Sequence, residues 1–390
     1  MSFNADELEA PEWINSNFFR KALEYNGDLA NVTINDFHIS PATAIGDHFA
    51  SIMFRVKIVQ GIKKDVLGQL DVDLFATEIF MYSEVLNECG KILKNAGYNS
   101  LLAAKMIYQS TEPQKVIVFE DLKELGYFMF PRIIPTEKDT ELIFSKLGQY
   151  HAATFKLAAE GHKDLKRKGG VFNLGDMDNL GFFRDTFSFF KELVETLPGF
   201  EEASEKLSKI SFDKIVNKCR QIVNAPGTYE VLNHGDYYIK NMMFKGKNGI
   251  DLSEIVMVDF QICHWGSPSF DVVYTSALIP PSMRPKAYKL YFDTFIDVLK
   301  KSDYNGSLPT FEQLQKDLKS YRSLDLFFLA TISSFLCADK NKMKDDIEAL
   351  LKNTNLFKTF YSQSTYISYV KELLPRLLQE GILDDIINSD

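Results

Sequence analysis

Two short stretches constrain this chain more than any other feature, because both put hydrogen-bonding side chains at one end of an apolar run. VLNHGDYYIKNMMF (231–244) carries His234, Gly235 and Asp236, and then Asn241 five residues after the aspartate. EIVMVDFQ (254–261) is a buried-looking run that ends on a second aspartate, Asp259. The loop between them, 246–253, contains Gly and Asn, residues that favour turns. The pattern predicts strands at 241–245 and 255–260, paired as a hairpin. Asp236 and Asn241 then stand where the chain enters the hairpin and Asp259 where it leaves. Three polar side chains at the same end of two paired strands converge on one point.

A carboxylate and an amide close together, with a second carboxylate, supply oxygen ligands for a hard cation such as magnesium. The remaining aspartate can orient a hydroxyl nucleophile or accept its proton. Phosphoryl transfer by kinases divides its labour in this way, with a catalytic-loop Asp, an Asn five residues on and a metal-binding Asp on the next hairpin. His234-Gly235-Asp236 with Asn241 fits that loop position for position, with Gly where protein kinases carry Arg. Asp259-Phe260-Gln261 fits the metal-binding triplet, with Gln in place of Gly. An Asn beside a turn is by itself more often a backbone cap. The second aspartate, in order and after a four-residue apolar run, is what makes the pair of motifs specific.

At 390 residues the chain is long enough for two lobes or one large domain. Strand signal concentrates in 37–122, helical signal in 139–225 and 284–387, and the strand-rich insert 229–262 separates the two helical regions. Residues 51–60 alternate Ile52, Phe54, Val56 and Ile58 with polar neighbours, as a half-buried strand does. Phe75, Ile79, Tyr82 and Leu86 share one face of a helix over 73–89 that Gly90 is suited to end. Residues 105–109 and 115–119 read as a hairpin around Glu112-Pro113, and 139–159 and 201–223 as amphipathic helices.

The net charge of −9 argues against broad nucleic-acid binding, which needs a basic surface. The start of the chain shows no signal-peptide pattern. The most hydrophobic tract, 326–338, is too short to span a bilayer and reads as a buried core helix. Cys89, Cys219, Cys263 and Cys337 are far apart and form no CxxC pair, which fits a reducing cytosol and a cytoplasmic protein.

The chain resembles the choline-kinase-like branch of the protein-kinase-like fold, and most closely the insect ecdysteroid kinase-like family. The likeness is carried by PATAIGDHFASIMFRV (41–56), FATEIFMYSEVL (75–86), VIVFEDL (116–122), QYHAATF (149–155), HGDYYIKN (234–241) and VDFQICHWGSPSFDVVY (258–274). It implies an α+β, two-lobed fold, with a small β-rich N-terminal lobe over 1–122 and a larger, mainly helical C-terminal lobe over 123–390. It implies ATP and magnesium as cofactors and a small-molecule alcohol, steroid-like or otherwise lipophilic, as substrate. Asp236 and Asn241 would be the catalytic pair, with Asp236 as base. Asn241 and Asp259 would hold magnesium against the phosphates. Glu78 would partner the lysine that positions ATP, and the 119–122 segment would be the hinge, meeting adenine near Glu120 and Leu122. Asp271 would brace the catalytic loop, and His151 would be structural.

The nucleotide-covering loop, 45–51, has a single glycine, Gly46, and the family resembled also lacks a full glycine-rich loop. The departure from the family lies in the lysine. The connection QGIKKDVLGQLDVDL (60–74) has no apolar run ending in lysine, so the N-terminal lobe is expected to lack its lysine-bearing strand. Lys57, on the same parity as Arg55, is expected to face solvent, and neither Lys63 nor Lys64 is expected to pair with Glu78. Two rival readings stand beside the kinase: a non-catalytic binding protein of kinase-like fold, and a choline or ethanolamine kinase with a cage for an amine.

Overall fold

The computed structural model describes residues 10–25, 37–41, 52–58, 62–68, 73–99, 101–112, 115–132, 134–166, 170, 172, 181–337 and 358–389; the loop 45–51 and the side chains of 52–58 and 62–68 lie outside the described residues. Helix α1 (Ser16–Glu24) is followed by strands β1 (Phe37–Pro41), β2 (Ile52–Ile58) and β3 (Ile62–Gly68). After the helix described next come β4 (Met106–Ser110) and β5 (Val116–Glu120), and the five strands form one sheet in the order β1-β2-β3-β5-β4.

Strand β3 corrects the expectation of a shortened N-terminal lobe. IKKDVLG pairs with β2 from Ile58↔Ile62 to Ile52↔Gly68, and with β5 from Lys64↔Glu120 to Val66↔Val118. The segment is poor in apolar residues, so its sequence carries little strand signal. It is a strand because backbone groups on both sides pair with it, a tertiary override of local preference. Lys63 and Lys64 therefore lie on a strand, in the central position of the sheet. Whether either reaches Glu78, and where Lys57 points, lies outside the described side chains.

Both faces of β5 are covered. Val116 and Val118 pack with Ile14, Phe19 and Leu23 around α1, whereas Ile117 and Phe119 join the main core. On that second face lies a long helical segment, α2 (Asp73–Phe80), a π-helical turn (Met81–Val85) and α3 (Leu86–Asn95). It runs through Gly90, where a stop was expected. Ile92 and Leu93 are buried beyond it, and that packing outweighs the roughly 1 kcal/mol a mid-helix glycine costs. The terminus comes instead at Ala96 and Gly97, the latter at φ 82°. The chain beyond is pinned to the second lobe: buried Lys146 donates from Nζ to the Leu101 carbonyl (2.9 Å), and the Met257 N–H to the Leu102 carbonyl (2.7 Å).

Strand β6 (Phe128–Met129) leads into α4 (Glu137–Ala159), which starts at a capping box made by Thr136 and Asp139. Helix α5 (Gly181–Glu195) comes next. The expected single helix over 201–223 is two, α6 (Glu201–Ser208) and α7 (Phe212–Asn224), because Ser211 caps a new helix at the Lys214 N–H. Then follow β7 (Val231–Asn233), β8 (Met242–Lys247), β9 (Asp251–Met257), β10 (His264–Gly266) and α8 (Ser269–Thr275). The expected hairpin is present as β8 and β9, with Met242 opposite Met257. Helices α9 (Arg284–Lys301), α10 (Phe311–Ser320), α11 (Arg322–Thr331) and α12 (Ser333–Leu336) complete this part, with further helices at Lys358–Tyr361, Ser364–Gln379 and Ile382–Ile387. The hydrophobic tract is α11 and α12, buried as expected. Helix α9 lies against α4 at Gly148, where a Cβ would stand 2.6 Å from the Tyr291 carbonyl oxygen.

The architecture is the α+β, two-lobed protein-kinase-like fold, with a β-rich N-terminal lobe and a larger, mainly helical C-terminal lobe.

Candidate active site

The loop between β7 and β8 turns at Gly235, whose φ is 85°. A Cβ there would lie 2.4 Å from the Ile262 carbonyl oxygen, so the glycine is required twice, by backbone conformation and by space. An arginine does not fit the turn as this chain makes it. His234, fully buried, faces the Val258 carbonyl with Nε2 (3.1 Å), and burial pushes its pKa down to about 4. It is a neutral packing residue.

Asp271, on α8, holds this loop. Its Oδ2 accepts the His234 N–H (2.6 Å) and its Oδ1 the Gly235 N–H (3.0 Å). Nε2 of buried His151 lies 3.1 Å from the same Oδ2, and its Nδ1 is 2.9 Å from the Tyr291 hydroxyl. Burial raises the Asp271 carboxyl, but the His151 hydrogen bond and the neighbouring imidazoles hold it below the ordinary carboxylate range. Burial keeps His151 neutral, so Nε2–H donates to the carboxylate and Nδ1 accepts from Tyr291. The brace at Asp271 and the packed His151 are both where the sequence placed them.

Both oxygens of Asp236 carry a donor. The Tyr274 hydroxyl donates to Oδ1 (2.5 Å) and the Asn241 amide to Oδ2 (2.7 Å), the same amide also reaching the Asp236 carbonyl (3.1 Å). Burial and the nearby charge of Asp259 push Asp236 up to about 7, against the pull of the two donors. With its nitrogen committed to Asp236, Asn241 has its Oδ1 as the atom suited to a cation. The Val258 N–H donates to the Asn241 carbonyl (3.0 Å), which brings Asn241 and Asp259 to the same end of the β8–β9 hairpin. Asp259 has φ 68°, in the left-handed region, and its Oδ1 accepts from the Gln261 amide.

Glu78, on α2, is 6% exposed, one helical turn before Tyr82, whose ring meets that of Phe260 edge to face. Burial and the charge of Asp259 raise the pKa of Glu78, and burial raises that of Asp259. Aromatic rings connect the same elements: Phe119 to Tyr82 (4.4 Å between centroids), Tyr82 to Phe260 (5.4 Å) and Phe260 to His234 (4.6 Å). The structure thus brings Glu78, Asp236, Asn241 and Asp259 into one region, with Glu78 buried, Asp236 and Asp259 half-buried, and all three carboxyls raised above their ordinary range.

Glu120 and Leu122 belong to the strand exit of β5, outside this cluster. The Glu120 carboxylate accepts the Lys105 N–H (2.7 Å) and the Glu120 N–H donates back to the Lys105 carbonyl (3.0 Å). The Leu122 carbonyl accepts the Tyr127 N–H (2.9 Å), closing a turn that Asp121 caps at the Lys123 N–H. Sequence reasoning did not find Tyr274 or Thr275, whose hydroxyl donates to the Tyr237 carbonyl. Their signal was helical spacing from Asp271, in SFDVVYT.

Among the described residues no group of three or more His, Cys, Asp or Glu is arranged to hold a metal unaided. A site of one carboxylate and one amide oxygen, completed by phosphates, is nevertheless the usual kind for magnesium. Carboxylates crowded so that the charge of Asp259 raises its neighbours are the electrostatic condition such a cation relieves.

A sequence model of the ecdysteroid kinase-like family matches residues 45–304, more than half of the chain. No curated protein matches it. Solved structures similar to it include an ethanolamine kinase from Plasmodium vivax, 16% identical, with 96% of this chain and 91% of the other covered and a TM-score of 0.41. A microcompartment-associated aminopropanol kinase is 12% identical, with 94% and 99% covered and a TM-score of 0.43. A macrolide 2'-phosphotransferase type I is 11% identical, with 89% and 97% covered and a TM-score of 0.39.

Proposed function

Because the chain belongs to the ecdysteroid kinase-like family, a family of small-molecule phosphotransferase type, we propose that it transfers phosphate from ATP, with magnesium, to the hydroxyl of a lipophilic small molecule. The observation that carries this reading is the convergence of Asp236, Asn241 and Asp259 at one end of the β8–β9 hairpin, with Asn241 bonded to Asp236.

Asp236 orients the acceptor hydroxyl and takes its proton, which a base near neutrality does well. Asn241 through Oδ1 and Asp259 through its carboxylate are the groups that would hold magnesium. When bound, magnesium neutralises charge on the phosphates during transfer. The backbone of 119–122, at Glu120 and Leu122, is assigned to adenine, and Glu78 to the cation that orients the phosphates. The candidates for that cation are the lysines of β3, Lys63 and Lys64. The lobes divide at 122 and 123 on this reading, and a cytoplasmic location accords with four buried free cysteines. Among the described residues no helix is long and apolar enough to cross a membrane.

Aromatic rings beside Asp236 favour an apolar acceptor: Tyr238 lies 5.9 Å and Phe328 4.7 Å from Tyr274, centroid to centroid. A choline- or ethanolamine-like acceptor is less well supported. The ammonium of Lys240, on the catalytic loop, sits 3.6 Å from the centroid of Phe335, the place an amine cation would take on that ring. The non-catalytic rival rested on an absent strand, and β3 stands in that place between β2 and β5.

The test is transfer of labelled phosphate from ATP to a panel of hydroxyl compounds. Wild type should label at least one, and Asp236→Asn should do so about 100-fold more slowly or worse. Labelling that does not differ between the two would overturn the reading.

A further inference from the structure

Helix α8 presents Asp271, Tyr274 and Thr275 at i, i+3 and i+4, the spacing of one helical face. Each holds a successive part of the catalytic loop. Asp271 takes the N–H groups of His234 and Gly235, Tyr274 the carboxylate of Asp236, and Thr275 the carbonyl of Tyr237. Of these three contacts, only that of Tyr274 is made to a group with a part in the proposed chemistry.

We propose that Tyr274 is a positioning residue for phosphoryl transfer: its hydroxyl, 2.5 Å from Asp236 Oδ1, fixes the plane of that carboxylate so that a remaining lone pair faces the acceptor hydroxyl. This rests on the kinase reading of Asp236. A carboxylate turns about its last bond over a broad, roughly two-fold torsion, so one donor alone leaves it loose. Asn241 on Oδ2 is such a donor, and Tyr274 on Oδ1 is the second, from the opposite side. Two oxygens offer about four acceptor positions, so both bonds can be made with capacity left for substrate. The phenol is itself held still. Its ring is 8% exposed and lies 4.7 Å from Phe328 and 6.2 Å from Phe270, centroid to centroid.

The test is Tyr274→Phe, which keeps the ring and removes the donor. If the chain is a kinase, kcat should fall about 10- to 100-fold, the scale of misplacing a reacting group by about 1 Å, while KM for ATP stays within about twofold. On an Asp236→Asn background the same change should have little further effect. A purely structural tyrosine would instead multiply the two losses, and that result would overturn the proposal. A crystal structure of Tyr274→Phe decides the matter without any activity. The Asp236 carboxylate should be rotated or split between orientations, and one unchanged in direction would overturn the proposal even in an active enzyme. Loss of the fold on removal of this one hydroxyl would make Tyr274 structural and overturn it too. Absence of phosphoryl transfer by wild type, beside a displaced carboxylate in the variant, would sink the kinase reading and leave the positioning contact standing.

Discussion

The ring of Tyr82 meets that of Phe260 edge to face, 5.4 Å between centroids, so the helical segment bearing Glu78 rests on the triplet bearing Asp259. Buried Glu78 and half-buried Asp259 thereby lie within reach of each other's charge, and Asp236 also feels that of Asp259.

The carboxylates' contribution to stability without metal should fall as pH rises, while His151 and His234, whose pKa values burial lowers, add stability over part of the same range. A carboxylate whose folded pKa is raised contributes stability that is complete below its unfolded value, about 4, and lost as pH climbs through the folded value. For Asp236 that folded value is about 7, and Glu78 and Asp259 shift in the same direction. Comparison with Asp236→Asn isolates its share: from pH 5 to 8 the urea midpoint of wild type should lose ground to that of the variant. A difference between the two that stays constant across this range would contradict the arrangement.

Magnesium with ATP should stabilise the chain more than ATP alone. At a ligand concentration 100 times Kd the gain is about 2.7 kcal/mol, readable as a rise in Tm. Asp259→Ala should lose the magnesium-dependent part. Equal, metal-independent shifts in both proteins would remove Asp259 from the metal site.

Gly235→Ala should be severely destabilising. The left-handed backbone costs a side chain about 1–2 kcal/mol, and the Cβ meets the Ile262 carbonyl at 2.4 Å as well. Chemical denaturation should show a loss of about 2–4 kcal/mol in total. A wild-type midpoint would mean that the loop has another conformation.

Asp271→Asn should loosen the catalytic loop before it unfolds the lobe. The amide cannot accept at both oxygens, so either the His234 or the Gly235 N–H loses its partner, at a cost of about 1–3 kcal/mol. Hydrogen exchange at residues 234–236 should accelerate well beyond that in α4. Exchange that is unchanged at the loop would show that the brace is redundant.

Lys63→Met and Lys64→Met separate the two β3 candidates. One of them should weaken ATP use about tenfold or more, since electrostatics carries most of phosphoryl transfer, and the other should not. Two variants indistinguishable from wild type in ATP Kd and kcat would exclude both.

The hairpin and its polar ends were legible in the sequence because short apolar runs and a turn-forming loop coincide there. The long helix was legible by its face of Phe75, Ile79, Tyr82 and Leu86, but not by its end. Gly90 is a stop only in isolation, and the burial of Ile92 and Leu93 is a tertiary fact. Strand β3 was missed for the same kind of reason, since IKKDVLG becomes a strand through two neighbours distant in sequence. Gly235 stood in the motif as a departure from arginine, and only the approach of Ile262 gives the cause. Tyr274 was missed because, beyond its helical spacing from Asp271, nothing local says that α8 runs beside the loop at 234–237.

The long helix is tied to the larger lobe just past its C-terminus, where Lys146 and the backbone of Met257 clamp Leu101 and Leu102. A rod pivoted there has its greatest travel at the far tip, and Glu78 lies close to that tip, more than twenty residues from the clamp. At roughly 1.5 Å per residue, a tilt of a few degrees at the pivot carries the glutamate an ångström or more. The clamp gives the helix the geometry of a lever, and the contact of Tyr82 with Phe260 is where a tilt would be felt.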